Sequence, residues 1–316
     1  MIDPIPPPPA LIKALVQPIA DAFSLRTLSL HGHEVLLAFC LYNVLSIYIS
    51  PALSHRFFPA TYPNLSPKTK VNWDVHVTSM FQAVFICSAA LWIVLGDEER
   101  KNMNASERIW GYTGAMGMTQ AFAAGYFAWD VLVSSMHLDV LGPGSLAHAI
   151  SALIVTCLGF HPFANYYGIA FVLYELSTPL LNIHWFFDKC KLTGSRIQLY
   201  NGILLLITFF GCRLVWGTYQ TVHIYRDIWY VLHTPGGREP ASKSWLSSSP
   251  VTSTPDRAEI MRFSGAQVLP PWLAYVYLGS NTLLSALNFY WFWLMIAAVR
   301  KRFVPAEKKT DKIATE

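Results

Sequence analysis

The stretch FVLYELSTPLLN, residues 171–182, places the carboxylate of Glu175 inside an apolar helical run. Two other apolar runs also carry ionisable side chains, because Arg213 lies in ITFFGCRLVWG and His148 lies in SLAHAISALIV. A charged side chain at the centre of a bilayer costs about 2.5–3.5 kcal/mol on insertion scales, so such residues usually face a bundle interior or a polar cavity. The sequence therefore predicts a helical membrane protein with a polar interior.

The composition supports this prediction. Of the 316 residues, 53% are hydrophobic and 13% are charged, whereas soluble domains carry about 25% charged residues. The 11 Trp, 15 Tyr and 19 Phe suit aromatic belts at two membrane interfaces. The net charge of +4 is too small to indicate binding to nucleic acid. The five cysteines form no CxxC pair and no Cys/His ligand spacing, so we expect neither a disulfide framework nor a metal site.

Seven apolar segments approach the length of about 20 residues that a helix needs to cross the hydrocarbon core. We place them at 33–50, 73–95, 109–129, 145–160, 163–185, 197–220 and 270–299. They predict an all-α, polytopic helical membrane protein with about seven transmembrane helices. We divide it into a first transmembrane helix with its loop, residues 33–69, and a six-helix bundle, residues 70–300.

The other segments are predicted to lie outside this bundle. In residues 1–32, apolar side chains recur at helical spacing, at Leu11, Leu15, Ile19 and Phe23. This spacing indicates an interfacial amphipathic helix, and a disordered tail is the alternative. Residues 221–269 are rich in Ser, Thr, Pro and Gly and predict a loose loop. Residues 301–316 predict a disordered basic tail.

Polar side chains of the apolar segments form four clusters. In chain order they are Asp130 at the end of GYFAWD; His148 with Ser151; Tyr174, Glu175, Ser177, Thr178 and Asn182; and Arg213 with Trp216 and Gly217. Together the clusters resemble the TLC-domain family, named for the TRAM, Lag and CLN membrane proteins, over about residues 70–300. ELSTPLLN followed by His184-Trp185-Phe186 is similar to the small TLC-domain-containing transmembrane proteins rather than to the ceramide synthases. The resemblance implies residence in the endoplasmic reticulum and a membrane lipid as partner.

The chain departs from the ceramide synthases at their active-site pattern, which has two adjacent histidines on one helix and Leu-His-Asp-x-Ser-Asp-x-x-Leu-Glu on the next. Only His148 remains of the histidine pair. In the second motif Tyr174 replaces His, Glu175 replaces the first Asp, Ser177 is kept, Thr178 replaces the second Asp and Asn182 replaces Glu. Acyl transfer needs a base and a group that stabilises the oxyanion, so these replacements weaken the interpretation as an enzyme.

The same residues also have structural interpretations. A hydrogen bond between Glu175 and His148 would fix the register of two helices. Arg213 needs a counter-charge or several carbonyls in the apolar zone, and the carboxylate of Glu175 alone would supply the counter-charge. Asp130 lies at a helix end, where it could meet interfacial water. Pro179 predicts a kink after the preceding residue that frees backbone carbonyls to line a cavity.

Two functions compete. In the first, the protein acts in lipid homeostasis by holding or sensing a lipid in an intramembrane pocket. Its polar residues would be His148, Glu175, Arg213, Asp130, Tyr174, Ser177, Thr178 and Asn182. In the alternative, the protein is an acyl-CoA-dependent N-acyltransferase of a sphingoid base, in which His148 is the general base and Glu175 orients it. Neither needs a bound cofactor, since acyl-CoA is only a co-substrate of the second. A transporter is disfavoured because the sequence has no inverted repeat.

Overall fold

A computed structural model describes residues 1–233, 255–265 and 268–303. At residues 255–257 and 301–303 it describes the backbone only. These ranges form helices and turns and contain no β-strand. In chain order the α-helices are α1 (Ala10–Ala22), α2 (Leu28–Val44), α3 (Ser50–Phe57), α4 (Pro67–Gly96), α5 (Glu98–Lys101), α6 (Ala105–Trp110), α7 (Gly114–Met136), α8 (Leu138–Leu141), α9 (Pro143–Leu158), α10 (Asn165–Val172), α11 (Thr178–Lys189), α12 (Arg196–Phe209), α13 (Trp216–His233), α14 (Pro255–Ile260) and α15 (Pro271–Phe303).

Four helical stretches of the described chain are long and apolar enough to cross a membrane. They are Leu28–Phe57, Pro67–Gly96, Arg196–His233 and Pro271–Arg300. The helices α7 and α9 pack between these stretches, since α7 contacts α2, α4 and α9, and α9 contacts α15. The protein is an all-α, multi-pass membrane protein, and the number of seven transmembrane helices stays a prediction.

The central element is α7, which is buried at every position from 115 to 126. Gly125 allows α2 to approach it closely. A Cβ atom at Gly125 would lie 2.5 Å from the carbonyl oxygen of Val35 and 2.6 Å from the Cβ atom of Ala38. Small residues at such crossings let helix backbones pack against each other where lipid offers no hydrophobic driving force.

Two of the long helical stretches contain a π-helical segment, and a 3₁₀-helix lies between two shorter helices. Leu45–Ile49 and Phe210–Val215 are π-helical, and Leu173–Ser177 is a 3₁₀-helix between α10 and α11. The predicted kink therefore lies before Thr178 rather than after it. Pro179, in the first turn of α11, has no N–H group and its ring crowds the carbonyl four residues earlier, which is that of Glu175. The distortion consequently falls on the N-terminal side of the proline.

The helix α1 forms where an amphipathic helix is predicted, and it includes Pro18. Its apolar stripe faces away from the bundle, since Leu11, Leu15, Ile19 and the following Phe23 are 52–72% exposed. The opposite face packs on α2, where Ala20 is buried and the Val16 side chain lies against Gly32. A face of this kind suits a membrane interface, which stays a prediction.

The predicted loop at 221–269 is shorter than expected. The helix α13 continues to His233, because Ile224, Asp227 and Ile228 recur on its buried face. The helix α14 then lies within the remainder of the predicted loop. Residues 234–254 and 266–267 lie outside the described residues, as do residues 304–316 of the predicted basic tail.

Candidate functional site

Arg213 is buried in the π-helical segment Phe210–Val215 and is 8% exposed. Its Nε atom donates to the carbonyl oxygen of Tyr174 and to Oγ of Ser177, each at 3.0 Å. A guanidinium in an apolar zone needs several acceptors. The 3₁₀ segment that carries Tyr174 supplies a main-chain oxygen for this purpose, as distorted membrane helices do where they line a protein interior.

The terminal nitrogens of Arg213 reach side chains on two other elements. Nη2 lies 3.3 Å from Oε1 of Glu175 and donates to Oγ1 of Thr178 at 3.1 Å. Nη1 donates to Oδ1 of Asn288 on α15 at 3.1 Å. Thr178 in turn donates to Oε2 of Glu175 at 2.7 Å. The ion pair predicted from the sequence is present, and the two opposite charges balance within one hydrogen-bonded network.

A cavity lies beside this network, bounded by α4, α7, α9, α10 and α15, with about 750 Å³ of space including its open mouth. Its polar lining consists of Gln82, Gln120, Tyr126, His148, Thr156, Tyr174, Glu175, Asn281 and Asn288. Its other walls are apolar or small, at Ile86, Ala123, Phe127, Ala152, Val155, Gly168, Phe171, Val172 and Leu284. The cavity thus offers hydrogen-bonding groups and apolar surface to one occupant.

His148 lies on α9 and lines this cavity. Its ring contacts the rings of Phe127 and Trp291, with centroids 6.0 Å and 5.4 Å away. Its Nδ1 atom is buried and has no hydrogen-bond partner among the described residues. No hydrogen bond joins His148 to Glu175 in the same ranges, because the Glu175 carboxylate is bound by Arg213 and Thr178. The two predicted catalytic residues therefore share a cavity without forming a base–carboxylate pair.

Five predicted pocket residues are not part of the cavity wall: Arg213, Asp130, Ser177, Thr178 and Asn182. Asn182, on α11, hydrogen-bonds through Oδ1 to Nδ1 of His76 at 2.7 Å, and the His76 ring stacks on Trp185. Asp130 accepts a hydrogen bond from Ser134 on its own helix. The prediction that Asp130 lies at a helix end is wrong, because α7 continues to Met136. Ser177 and Thr178 contact Arg213 rather than the cavity itself.

Four carboxamides in the lining are absent from the predicted pocket: Gln82, Gln120, Asn281 and Asn288. Gln82 accepts a hydrogen bond from the Tyr42 hydroxyl, and Gln120 donates to the carbonyl oxygen of Thr156 at 3.1 Å. An uncharged amide inside an apolar run also costs free energy unless it is satisfied. Each of these amides marks a polar position in an apolar run, although its partner does not follow from the sequence.

A second, partly buried ion pair joins α6 to α13 at one end of the bundle. Nε and Nη2 of Arg108 bind the two carboxylate oxygens of Asp227 at 2.6 Å and 2.9 Å, and the Tyr167 hydroxyl donates to the same carboxylate. Burial opposes the charge of Arg108, but the paired carboxylate outweighs burial and raises the pKa of Arg108 above its ordinary value. This pair fastens the loop before α7 to the bundle.

Comparison with known proteins places this architecture in a family. The TLC domain profile matches residues 72–297, which include the cavity. An uncharacterized TLC domain-containing protein of Schizosaccharomyces pombe is 33% identical over 308 residues, which cover 97% of this chain and 91% of that protein. Topoisomerase I damage affected protein 4 of Saccharomyces cerevisiae is 27% identical over 283 residues, 87% of each chain. TLC domain-containing protein 4 of Homo sapiens is 27% identical over 181 residues, 56% of this chain and 67% of that protein. The chain therefore belongs to the TLC domain family, with the small TLC domain-containing proteins rather than the ceramide synthases.

Proposed function

We propose that this protein acts in lipid homeostasis by holding or sensing a membrane lipid in the cavity beside Arg213 and Glu175. The observation that carries the proposal is the composition of the cavity wall, where a histidine, a carboxylate and four carboxamides alternate with apolar side chains. Ligand sites are typically apolar concavities with a few convergent polar groups. Because the chain belongs to a family of membrane proteins, a membrane lipid is the ligand that can reach this cavity. Residence in the endoplasmic reticulum belongs to the same proposal and rests on the family resemblance.

The charge balance of the site indicates which charge the head group of the bound lipid should carry. Arg213 and Glu175 neutralise each other at 3.3 Å, and the remaining polar lining is made of amides, hydroxyls and an imidazole. A site without net positive charge gives no advantage to an anionic phosphate, which arginine clusters bind best. We therefore expect an uncharged or zwitterionic head group that exchanges hydrogen bonds with the amides. The acyl chain of the lipid would lie against Phe171 and Leu284.

An acyl-CoA-dependent N-acyltransferase is the second candidate. It is favoured by the unpartnered Nδ1 of His148, which lines the same cavity as Glu175 and could accept a proton from an amine. It is disfavoured because Arg213 and Thr178 bind the carboxylate that would orient the imidazole. A base without its orienting partner is a poor catalyst, and lipid holding therefore ranks first.

Mass spectrometry of lipids that co-purify with the full chain tests the first function. Ala152→Phe adds a ring inside the cavity, whereas Ala52→Phe makes the same change at an exposed position of α3. We expect wild type and Ala52→Phe to retain one enriched lipid class and Ala152→Phe to lose most of it. Equal lipid content in the two variants would show that the cavity is not the lipid site.

Incubation with acyl-CoA and a sphingoid base tests the second function. Release of free CoA by the wild type, abolished in His148→Ala and retained in Ala52→Phe, would replace the first proposal with the transferase. Absence of CoA release across several chain lengths, together with an enriched lipid in the wild type, would support holding or sensing alone.

A further inference from the structure

We propose that Asp3, His31 and Glu34 form a binding site for a divalent first-row transition-metal ion such as Zn²⁺. The site lies where residues 1–6 meet the start of α2 and the start of α7, outside the cavity lining. Its three donor atoms lie within 4.8 Å of one another. Nδ1 of His31 is 2.9 Å from Oε2 of Glu34 and 3.3 Å from Oδ2 of Asp3. Zinc binds nitrogen and carboxylate oxygen at about 2.0–2.2 Å, which places tetrahedral ligands about 3.4 Å apart. Small shifts would therefore admit the ion.

The imidazole of His31 is already oriented for this role. Its other nitrogen, Nε2, is 2.7 Å from the hydroxyl of Tyr112, and the ring is 1% exposed. With an ion bound, a proton on Nε2 that is donated to the Tyr112 hydroxyl would leave the Nδ1 lone pair for the ion, in place of the hydrogen bond between Nδ1 and Oε2 of Glu34. Metal-binding histidines are commonly held by such a bond from the second nitrogen. Gly117 makes room for the ring, since a Cβ atom there would lie 2.3 Å from Nε2.

The buried carboxylate of Glu34 is a second indication of a bound cation. Glu34 is fully buried, and its Oε1 atom has no hydrogen-bond partner among the described residues. Nε2 of His33 lies 3.7 Å from Oε1, beyond hydrogen-bond distance. A buried carboxylate oxygen without a partner is costly. Asp3 is held differently, because its Oδ1 accepts from the backbone N–H of Ile5 at 2.8 Å and leaves Oδ2 facing His31.

The charges of the cluster also point to a cation. Within the described ranges, the ion pairs of Asp3 and Glu34 are with His31 and His33, and neither carboxylate pairs with a lysine or an arginine. One nitrogen and two carboxylate donors suit Zn²⁺, Fe²⁺ or Mn²⁺, because Ca²⁺ and Mg²⁺ prefer all-oxygen ligands and Cu⁺ prefers thiolates. The spacing of cysteines and histidines, taken by itself, predicts no metal site. Asp3 is distant in sequence from His31 and Glu34, and folding brings the three residues together.

The bound ion would fasten the chain before α1 to the bundle. Asp3 lies in the segment that precedes α1, His31 and Glu34 lie on α2, and Tyr112 lies just before α7. The proposal does not depend on the lipid cavity. Loss of the ion should change only the metal affinity and the amide exchange of Ile2, Asp3 and Ile5.

Metal titration of the full chain, tagged at its C-terminus and stripped with EDTA in detergent, tests the site directly. We expect one Zn²⁺ per wild-type chain and much weaker binding of Mg²⁺ and Ca²⁺. His31→Ala should weaken Zn²⁺ binding by at least about 100-fold, since it removes a ligand. Tyr112→Phe should weaken it by about 10-fold, since it removes the group that orients the imidazole. His55→Ala changes an exposed histidine of α3 and should have no effect.

Hydrogen exchange supplies a second readout that survives a folding defect in His31→Ala. Zn²⁺ should slow amide exchange at Ile2, Asp3 and Ile5 of the wild type, the residues before α1 that carry an amide proton, since the others are Met1 and prolines. The same addition should leave exchange in Asp3→Asn unchanged, a variant at a partly exposed side chain. If wild type, Asp3→Asn and His31→Ala bind Zn²⁺ equally or not at all, the three residues form only a hydrogen-bonded cluster. Equal affinity for Mg²⁺ and Zn²⁺ would likewise overturn the assignment.

Discussion

Arg213 and Glu175 approach to 3.3 Å from two segments that are both distorted helix, the π segment Phe210–Val215 and the 3₁₀ segment Leu173–Ser177. The ion pair and the 3₁₀ segment are linked by further hydrogen bonds of Arg213. The 3₁₀ segment presents the carbonyl oxygen of Tyr174 to the guanidinium, together with the side chain of Ser177. Single π turns are frequent at functional sites, and irregular backbone at membrane depth is tolerated where it is buried in protein or lines a cavity.

Arg213→Met should destabilise the protein by about 3 kcal/mol or more, because it leaves the partly buried Glu175 carboxylate without its counter-charge. The double variant Arg213→Met/Glu175→Gln should regain part of this loss. Thermal unfolding in detergent measures both effects. Arg196→Met at an exposed position of α12 is the matched control, and equal unfolding temperatures for the two arginine variants would contradict the role of the pair.

Asp227→Asn should destabilise the protein by about 2 kcal/mol. The expected loss is below that of a fully buried pair because the Arg108 side chain is 24% exposed. Hydrogen exchange should also accelerate in residues 97–114, whose turns the pair fastens to α13. Asp21→Asn on the exposed face of α1 should change neither quantity. Unaltered exchange in Asp227→Asn would show that other contacts hold this loop.

Gly125→Ala should destabilise the protein by about 1–3 kcal/mol, because the added methyl group would lie 2.5 Å from the Val35 carbonyl oxygen and force α2 away from α7. Gly279→Ala is the control, since a Cβ atom there meets nothing within 4 Å. Alanine is the better helix former, so Gly279→Ala should be neutral or stabilising. Parallel unfolding curves of both variants provide the comparison, and an equal effect of the two would exclude tight packing at Gly125.

His161, between α9 and α10, should make stability depend on pH. Burial lowers its pKa below the ordinary 6.5, and Arg26 contributes in the same direction. The unfolded chain then binds the proton more tightly than the folded chain, so stability is highest above pH 6.5 and falls as the pH drops below it. His161→Gln should lose less stability than wild type between about pH 7.5 and 5.5. Unfolding temperatures measured across this range would contradict the assignment if both proteins lost the same amount.

The sequence predicts the helical class and the Arg213–Glu175 pair for a simple reason. Ionisable side chains in apolar runs have few partners, and an opposite charge on a neighbouring helix satisfies both. Asn288 completes the network but cannot be inferred in the same way. A neutral amide accepts many partners, and its contact with Arg213 depends on how α15 lies against the π segment.

The direction in which a side chain points is the part that the sequence does not determine. The membrane-length helices are apolar on most faces, so periodicity does not separate the lipid side from the core side. The side chain of Asn182 on α11 consequently faces His76 of α4 instead of the cavity. The prediction also ends this helix too early, at residue 220. Asp227 looks like a loop residue because it is polar, but its bond to Arg108 buries it on a face of α13.

The π segment Phe210–Val215 also constrains the number of residues in this part of the chain. A π turn contains one residue more than an α turn. Removing a single residue from it would restore regular spacing and rotate the two flanking halves by about 100° relative to each other. Arg213 and Asp227 could then no longer both meet their partners. Evolution and protein engineers should therefore find this stretch more tolerant of exchanged side chains than of altered length.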